Sequence, residues 1–307
     1  MRTDHYFDSC GAGQIHVCRW MPEGQPKAVL QIIHGIAEFV ERYDAFARYL
    51  NSLGVVVVAE DHMGHGQSIG GSIQGYFHGG WFAAVEDSYR LLRDTMAEFP
   101  RLPYVLFGHS MGSFMARTIL AKHPDSGIAA AIICGTGWQP KFALPALIKV
   151  VEGICRKTGQ ENPSPALHKM IFGSYNSKIY NPRTPNDWLT RDETVVDAYN
   201  AHPLCGFVPA CGLLRDMMQG IYYVERRCNL AKMEKQLPVL FIAGQEDPVG
   251  PYGKGVERAA KEFKKAGMTR VDLKLYPQCR HEILNELNKQ QVFEDVAAWL
   301  KSNTVLE

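Results

Sequence analysis

Ser110 lies in Gly108-His109-Ser110-Met111-Gly112, a G-x-S-x-G pattern. The run before it, Tyr104-Val105-Leu106-Phe107, reads as a short buried strand, and Ser113 to Leu120 reads as a helix. Strand, tight turn and helix form the setting in which such a serine is presented as a nucleophile. The turn forces the serine into a strained backbone conformation and crowds both flanks, so positions 108 and 112 have no room for a Cβ. The helix N-terminus behind Ser110 favours negative charge there. An ordinary Gly-rich turn would show the same five residues, so the decision rests on the rest of the chain.

A serine hydroxyl needs a base to take its proton and a third group to orient that base. Downstream, Asp247 follows the apolar run Pro238 to Gly244, and His281 follows the run Val271 to Tyr276. Singly, an Asp before a Pro is a turn residue and a lone His is unremarkable. Together with the elbow they supply acid and base in workable order, each on a loop after a strand. Acyl transfer also needs two backbone N–H groups for the oxyanion. Met111, after the serine, is one candidate. Ile36, after the strand that ends in His34-Gly35, is the other, with Gly35 allowing a close backbone approach.

The elements that must hold these residues alternate. Residues 5–20 read as a hairpin, and Ala28 to Ile33 as a buried strand. A helix over 41–52 follows, with Tyr43, Phe46, Ala47 and Leu50 on one face. Val55 to Ala59, without polar alternation, suits a strand covered on both faces. A helix over 81–99 has its stripe at Phe82, Val85, Tyr89, Leu92, Met96 and Phe99, and a strand over 128–134 comes after the elbow. From Trp138 to about Leu237 the alternation stops. Phe142 to Ile154 reads as helix and 162–186 as loop. Thr190-Arg191-Asp192-Glu193 reads as a capping box opening a helix, and 207–227 as a further helix. Strand 238–244, helix 254–266, strand 271–276 and helix 289–302 resume the pattern. The fold class is α/β with a mainly parallel central sheet and helices on both faces. Residues 1–137 and 238–305 make a discontinuous core, and 138–237 a helical cap or lid insertion. Leu306-Glu307 is left out of the reading.

Composition narrows the partners. The net charge of +1 over 307 residues gives no electrostatic case for nucleic acid. The polar N-terminus lacks the apolar stretch of a signal peptide, and no run has the length of a membrane span. The eight cysteines are scattered without a C-x-x-C pair, which reads as reduced thiols of a cytoplasmic protein and not as a zinc cluster.

Several segments together carry a resemblance. They are His34-Gly35-x-x-Glu38-x-x-x-Arg42-Tyr43, Asp61-His62-x-Gly64-His65-Gly66-x-Ser68, the elbow, Asp247-Pro248-Val249 and Arg280-His281-Glu282. In this order, from 34 to 282, the chain resembles the monoacylglycerol lipase and lysophospholipase branch of the α/β-hydrolases. The loop 61–68 is the most specific piece. The resemblance implies an α/β-hydrolase fold and a serine hydrolase of glycerolipid or other single-chain acyl esters that uses neither cofactor nor metal. Its triad would be Ser110, Asp247 and His281. It also places Glu38, Arg42 and His109 beside the alcohol part of the substrate, although Glu38 and Arg42 could equally be an i,i+4 pair that orders the loop. For 61–68 a buttressing role is favoured. Phe142, Leu144, Leu147 and Ile148 are either the wall of an acyl tunnel or, by default, the packing of the cap itself. An apolar cap helix is able to touch a membrane surface transiently. A proline-iminopeptidase-like aminopeptidase on the same core, or a binding protein without chemistry, are the alternatives. Acidic residues of the insertion (Glu152, Glu161, Asp187, Asp192, Glu193, Asp197) would have to serve the former.

Overall fold

The structure is a computed structural model and describes residues 1–70, 72–139, 143–303 and 305–306. One eight-stranded sheet organises it. In chain order its strands are β1 (Arg2–Asp8), β2 (Gln14–Trp20), β3 (Ala28–Ile33), β4 (Val55–Glu60), β5 (Tyr104–His109), β6 (Ala130–Cys134), β7 (Val239–Gly244) and β8 (Val271–Tyr276). Across the sheet the order is β1-β2-β4-β3-β5-β6-β7-β8. The β1–β2 and β2–β4 pairs are antiparallel and the rest are parallel. This is the α/β-hydrolase fold anticipated from the sequence.

The parallel strands are apolar throughout because successive side chains feed two cores. Val56 and Val58 of β4 and Leu106 of β5 join one cluster, while Val55, Val57, Val105 and Phe107 join the other. Helices α1 (Asp44–Ser52), α2 (Gly80–Glu98) and α3 (Met111–Lys122) follow the early strands. Helix α1 buries Phe46, Ala47 and Leu50 as expected. Helix α2 buries Val85 and Leu92 of the expected stripe and packs Tyr89, Met96 and Phe99 against the core, but Phe82 is 43% exposed while Trp81 and Ala84 are buried. Trp81 wins the inner face because its ring lies where a Cβ on Gly220 would fall, and its Nε1 donates to Thr118 Oγ1 at 3.2 Å.

Between β6 and β7 the described residues hold only helices: α4 (Ala143–Thr158), α5 (Pro165–Phe172), α6 (Glu193–Ala201), α7 (Cys211–Glu225) and α8 (Arg227–Leu230). Helix α5 falls inside a stretch that the sequence suggests is loop. It buries only Leu167, so no apolar stripe announces it. Its start is set by a cap, with the Ser164 side chain accepting from the Leu167 N–H and Pro165 in the first turn. The cap of α6 is Asp192, which accepts from the Thr194 and Val195 N–H groups, and not Thr190. The Thr190 hydroxyl instead donates to the Asn285 carbonyl and accepts from the Asp192 N–H. Phe142 lies outside the described residues. The core closes with α9 (Lys254–Lys265) and α10 (Lys289–Ser302). Leu306, set aside in the sequence reading, is buried in the second cluster with Val305.

Candidate active site

The strand β5 delivers Ser110 to the N-terminus of α3 at φ 52° and ψ −121°, a strained region for a residue with a side chain. Both flanking glycines are required sterically. A Cβ on Gly108 would sit 2.4 Å from the Gly112 carbonyl oxygen, and one on Gly112 would sit 2.0 Å from that of Ile33. The turn is tied down by Ser110 N–H to the Cys134 carbonyl (3.0 Å) and by Ser113 Oγ to the Ser110 carbonyl (2.6 Å).

Asp247 follows β7 and His281 follows β8. His281 Nδ1 meets Asp247 Oδ2 at 3.0 Å, and Asp247 Oδ1 accepts from the Val249 N–H at 2.8 Å. Both side chains are buried. Burial works against an imidazolium at His281, but the Asp247 charge and hydrogen bond outweigh it and hold the pKa above the ordinary value, with Glu282 and Glu38 adding. With Nδ1 donating to Asp247, His281 Nε2 is the accepting atom, and it has no hydrogen-bond partner among the described residues. His281 and Ser110 line one cavity. His109 packs 4.7 Å from His281, centroid to centroid. Burial, reinforced by the positive fields of His281 and Arg42, holds His109 well below the usual histidine pKa, so it is neutral.

The loop after β3 turns through Ala37 at φ 56°. Neither the Ile36 nor the Met111 N–H has a partner among the described residues, and both residues line the cavity. Glu38 braces this loop: its Oε1 accepts from the Gly35 N–H (2.6 Å) and the Tyr43 hydroxyl (2.9 Å), and its Oε2 from Arg42 (2.6 Å). Arg42 also grips Glu282 and lies 4.8 Å from the Tyr199 ring centroid. Glu38 and His109 line the cavity, whereas Arg42 sits behind it. Burial raises the Glu38 carboxyl against the pull of Arg42. At Glu282 the guanidinium's charge and fork overcome burial and lower it.

The cavity has a volume of about 590 Å³. Its lining includes Ser110, His281, His109 and the Ile36 loop, and also Leu144 and Leu147 of α4, Met217, Met218 and Ile221 of α7, and Phe114. A strained hydroxyl, an imidazole held by a carboxylate and two unpaired N–H groups are the parts acyl transfer requires.

Residues 24–288 match the family described as serine aminopeptidase, S33 (Hydrolase_4). The chain belongs to this family. It is a serine hydrolase with the α/β-hydrolase fold, of the esterase and lipase kind. It is 28% identical over 309 residues to the monoacylglycerol lipase of Mycolicibacterium smegmatis, covering 98% of both chains. It is 29% identical to the human monoglyceride lipase, covering 95% of this chain and 88% of that one. A thermostable carboxyl esterase from Bacillus coagulans, solved in complex with glycerol, superposes with a TM-score of 0.90 at 30% identity over 98% of each chain.

In this serine hydrolase the loop 61–68 supports the site from behind. Asp61 accepts from the Val40 and Gln67 N–H groups and bonds His16 Nδ1 at 2.8 Å, while Ser68 bridges the Asp61 carbonyl and the His16 N–H. His62 N–H donates to His34 Nε2 and His62 Nε2 reaches the His34 carbonyl, so the two loops are cross-stitched. Burial drives His62 down to about 3 and His65 to about 4, which makes this a neutral, structural cluster. Gly66 is required here because a Cβ would meet the Asp61 carboxylate at about 2.1 Å. The sequence reading missed Trp188, whose ring packs 5.1 Å from His281 and whose carbonyl accepts the His281 N–H. Nothing local marks it, since it arrives from the loop between α5 and α6.

Proposed function

We propose that the chain hydrolyses single-chain carboxylic esters, monoacylglycerols and lysophospholipids among them, through an acyl-enzyme on Ser110. Ser110 attacks the ester carbonyl while His281 Nε2 takes its proton. Asp247 fixes the imidazole tautomer and stabilises the imidazolium. The Ile36 and Met111 N–H groups receive the oxyanion, each worth on the order of 100-fold in rate. His281 then protonates the leaving alcohol, and water repeats the sequence to free the acid. His109, neutral and beside His281, and the Glu38-braced loop face the alcohol end. Residues 138–237 act as the cap that closes over the acyl chain.

The observation that carries this reading is the cavity. It joins Ser110 to an apolar wall from α4 and α7, which suits an acyl chain better than a peptide. Relatives named monoacylglycerol lipase and monoglyceride lipase support the same substrate class.

The family description keeps the aminopeptidase reading in view. That chemistry needs a carboxylate free to hold an α-amino group. Among the described lining residues the carboxylates are Glu38 and Glu282, and Arg42 occupies both. The acidic residues weighed from the insertion do not line the cavity: Asp192 caps α6, while Asp187 is held by the Arg183 N–H and the Thr184 hydroxyl. The test is a panel of monoacylglycerols, lysophospholipids and p-nitrophenyl esters of graded length, run beside a prolyl arylamide, with fluorophosphonate labelling of Ser110. Preference for the arylamide, or ester hydrolysis surviving in folded Ser110→Ala, overturns the proposal.

A further inference from the structure

Beside Asp61, the β1–β2 hairpin gathers three unlike donor atoms. Asp4 pairs directly with Cys18 across the hairpin, and His16 lies two residues before Cys18, so all three side chains share one face. Cys18 Sγ is 3.0 Å from Asp4 Oδ1, His16 Nε2 is 3.2 Å from the same oxygen, and Sγ to Nε2 is 3.9 Å. His16 and Cys18 are fully buried, while the Asp4 side chain is 42% exposed and leaves the group open to solvent.

We propose that Asp4, His16 and Cys18 bind one zinc ion, with solvent in the fourth position. Two observations carry this. The first is the shape of the triangle. A tetrahedral zinc about 2.3 Å from sulfur and about 2.0–2.1 Å from nitrogen and oxygen needs ligand–ligand edges of roughly 3.3–3.6 Å. The three edges here bracket that range, so side-chain shifts of a few tenths of an ångström close the site. The second is the partner of the other ring nitrogen. His16 Nδ1 is bonded to the buried Asp61 carboxylate at 2.8 Å, the arrangement that orients and strengthens a metal-binding imidazole. Nε2, 3.2 Å from Asp4 Oδ1, reaches that carboxylate through a proton, and a zinc ion would take the place of that proton.

Binding releases the Cys18 thiol proton and the His16 Nε2 proton to solvent in exchange for sulfur–zinc and nitrogen–zinc bonds, and no electron moves. Arg2 bonds that same Asp4 oxygen through Nη2 at 3.0 Å and Nε at 3.3 Å, so zinc binding displaces it from Oδ1 while its pairing with Glu41 remains. The sequence reading expects no zinc site because it looks for close cysteine pairs. This one is made by hairpin register and a His-x-Cys step along one strand face. It sits apart from the triad but shares Asp61, which holds the Val40 and Gln67 N–H groups, so the ion staples the hairpin to the loop behind the site.

The test uses the full chain with the two exposed cysteines removed (Cys10→Ser, Cys228→Ser), stripped of metal and titrated with cobalt(II), then zinc. The expected result is one cobalt per chain with thiolate-to-metal charge-transfer absorption, displaced by one zinc, and a zinc-dependent rise in the thermal midpoint. Cys18→Ser removes the absorption, and Asp4→Asn weakens zinc by at least about 10-fold. Absence of the thiolate band, or equal zinc affinity in the parent and in Asp4→Asn, overturns the proposal.

Discussion

Arg42 and Glu282, 240 positions apart, meet through a two-pronged ion pair, Nη1 to Oε1 at 2.6 Å and Nη2 to Oε2 at 2.5 Å. The pair joins the loop bearing Ile36 to the residue next to His281, and Glu38 takes the remaining hydrogen bond of Nη1. It therefore ties the Ile36 loop to the segment that carries His281. Removing the guanidinium strands two buried carboxylates, which typically costs about 3–5 kcal/mol. Arg42→Met should lose stability of that order and lower kcat. Urea denaturation with steady-state kinetics checks it. Unchanged stability with a raised KM alone would instead make Arg42 a substrate contact.

Ser110 is held at a positive φ that glycine adopts without penalty. Ser110→Gly should therefore abolish ester hydrolysis and at the same time stabilise the fold, by about 1–3 kcal/mol. Calorimetry reads the gain. A lower thermal midpoint would show that the serine side chain supports the turn instead of straining it.

The pH profile follows from the balance at His281. Burial alone would depress its pKa, and Asp247 reverses that. Only the neutral imidazole accepts the Ser110 proton, so activity should rise with pH and reach half its plateau above the ordinary value of 6.5. In Asp247→Asn the largest raising charge is gone, while burial and the smaller raising fields of Glu282 and Glu38 remain. The acid limb should move to lower pH while kcat falls by roughly 10⁴, as the imidazole loses its fixed tautomer. A rate profile of both proteins on one p-nitrophenyl ester decides; an acid limb that stays put would separate it from His281.

The serine turn and the Asp247–His281 pair were readable in the sequence because each requirement is local. Gly108 and Gly112 answer a steric demand at Ser110, and Asp247 and His281 each end an apolar run. The sheet was readable because strands buried on both faces are continuously apolar. What escaped depends on tertiary context. Trp188 packs on His281 from a long connection, and α5 hangs on one Ser-Pro cap instead of an apolar stripe. Trp81 displaced Phe82 from the inner face of α2 because Gly220, in another helix, leaves it room. The Glu38–Arg42 spacing was seen, but its third member, Glu282, could be paired only in space.

The histidines behind the site make stability acid-sensitive. His65 is buried, and its pKa lies near 4 in the fold against 6.5 when free. A depressed histidine pKa means that the unfolded chain takes up a proton that the folded chain refuses. Its contribution is intact above about pH 6.5 and declines as pH falls toward 4, by about 1.4 kcal/mol per pH unit. His34 and His62 act in the same direction, whereas His16 and His281, whose pKa values are raised, act oppositely, so the wild-type curve alone is ambiguous. His65→Phe isolates one member. The ring lies among Phe77 and Phe207, its Nε2 has no partner among the described residues, and the substitution forfeits the Nδ1 bond to the Met63 carbonyl, about 1 kcal/mol. Relative to wild type the variant should be slightly less stable at about pH 7.5 and should gain about 2 kcal/mol on moving to about pH 5. Urea denaturation of both proteins at the two pH values gives the difference directly. A constant difference would mean that His65 is protonated in the folded protein and that the neutral cluster behind the oxyanion loop has been misassigned.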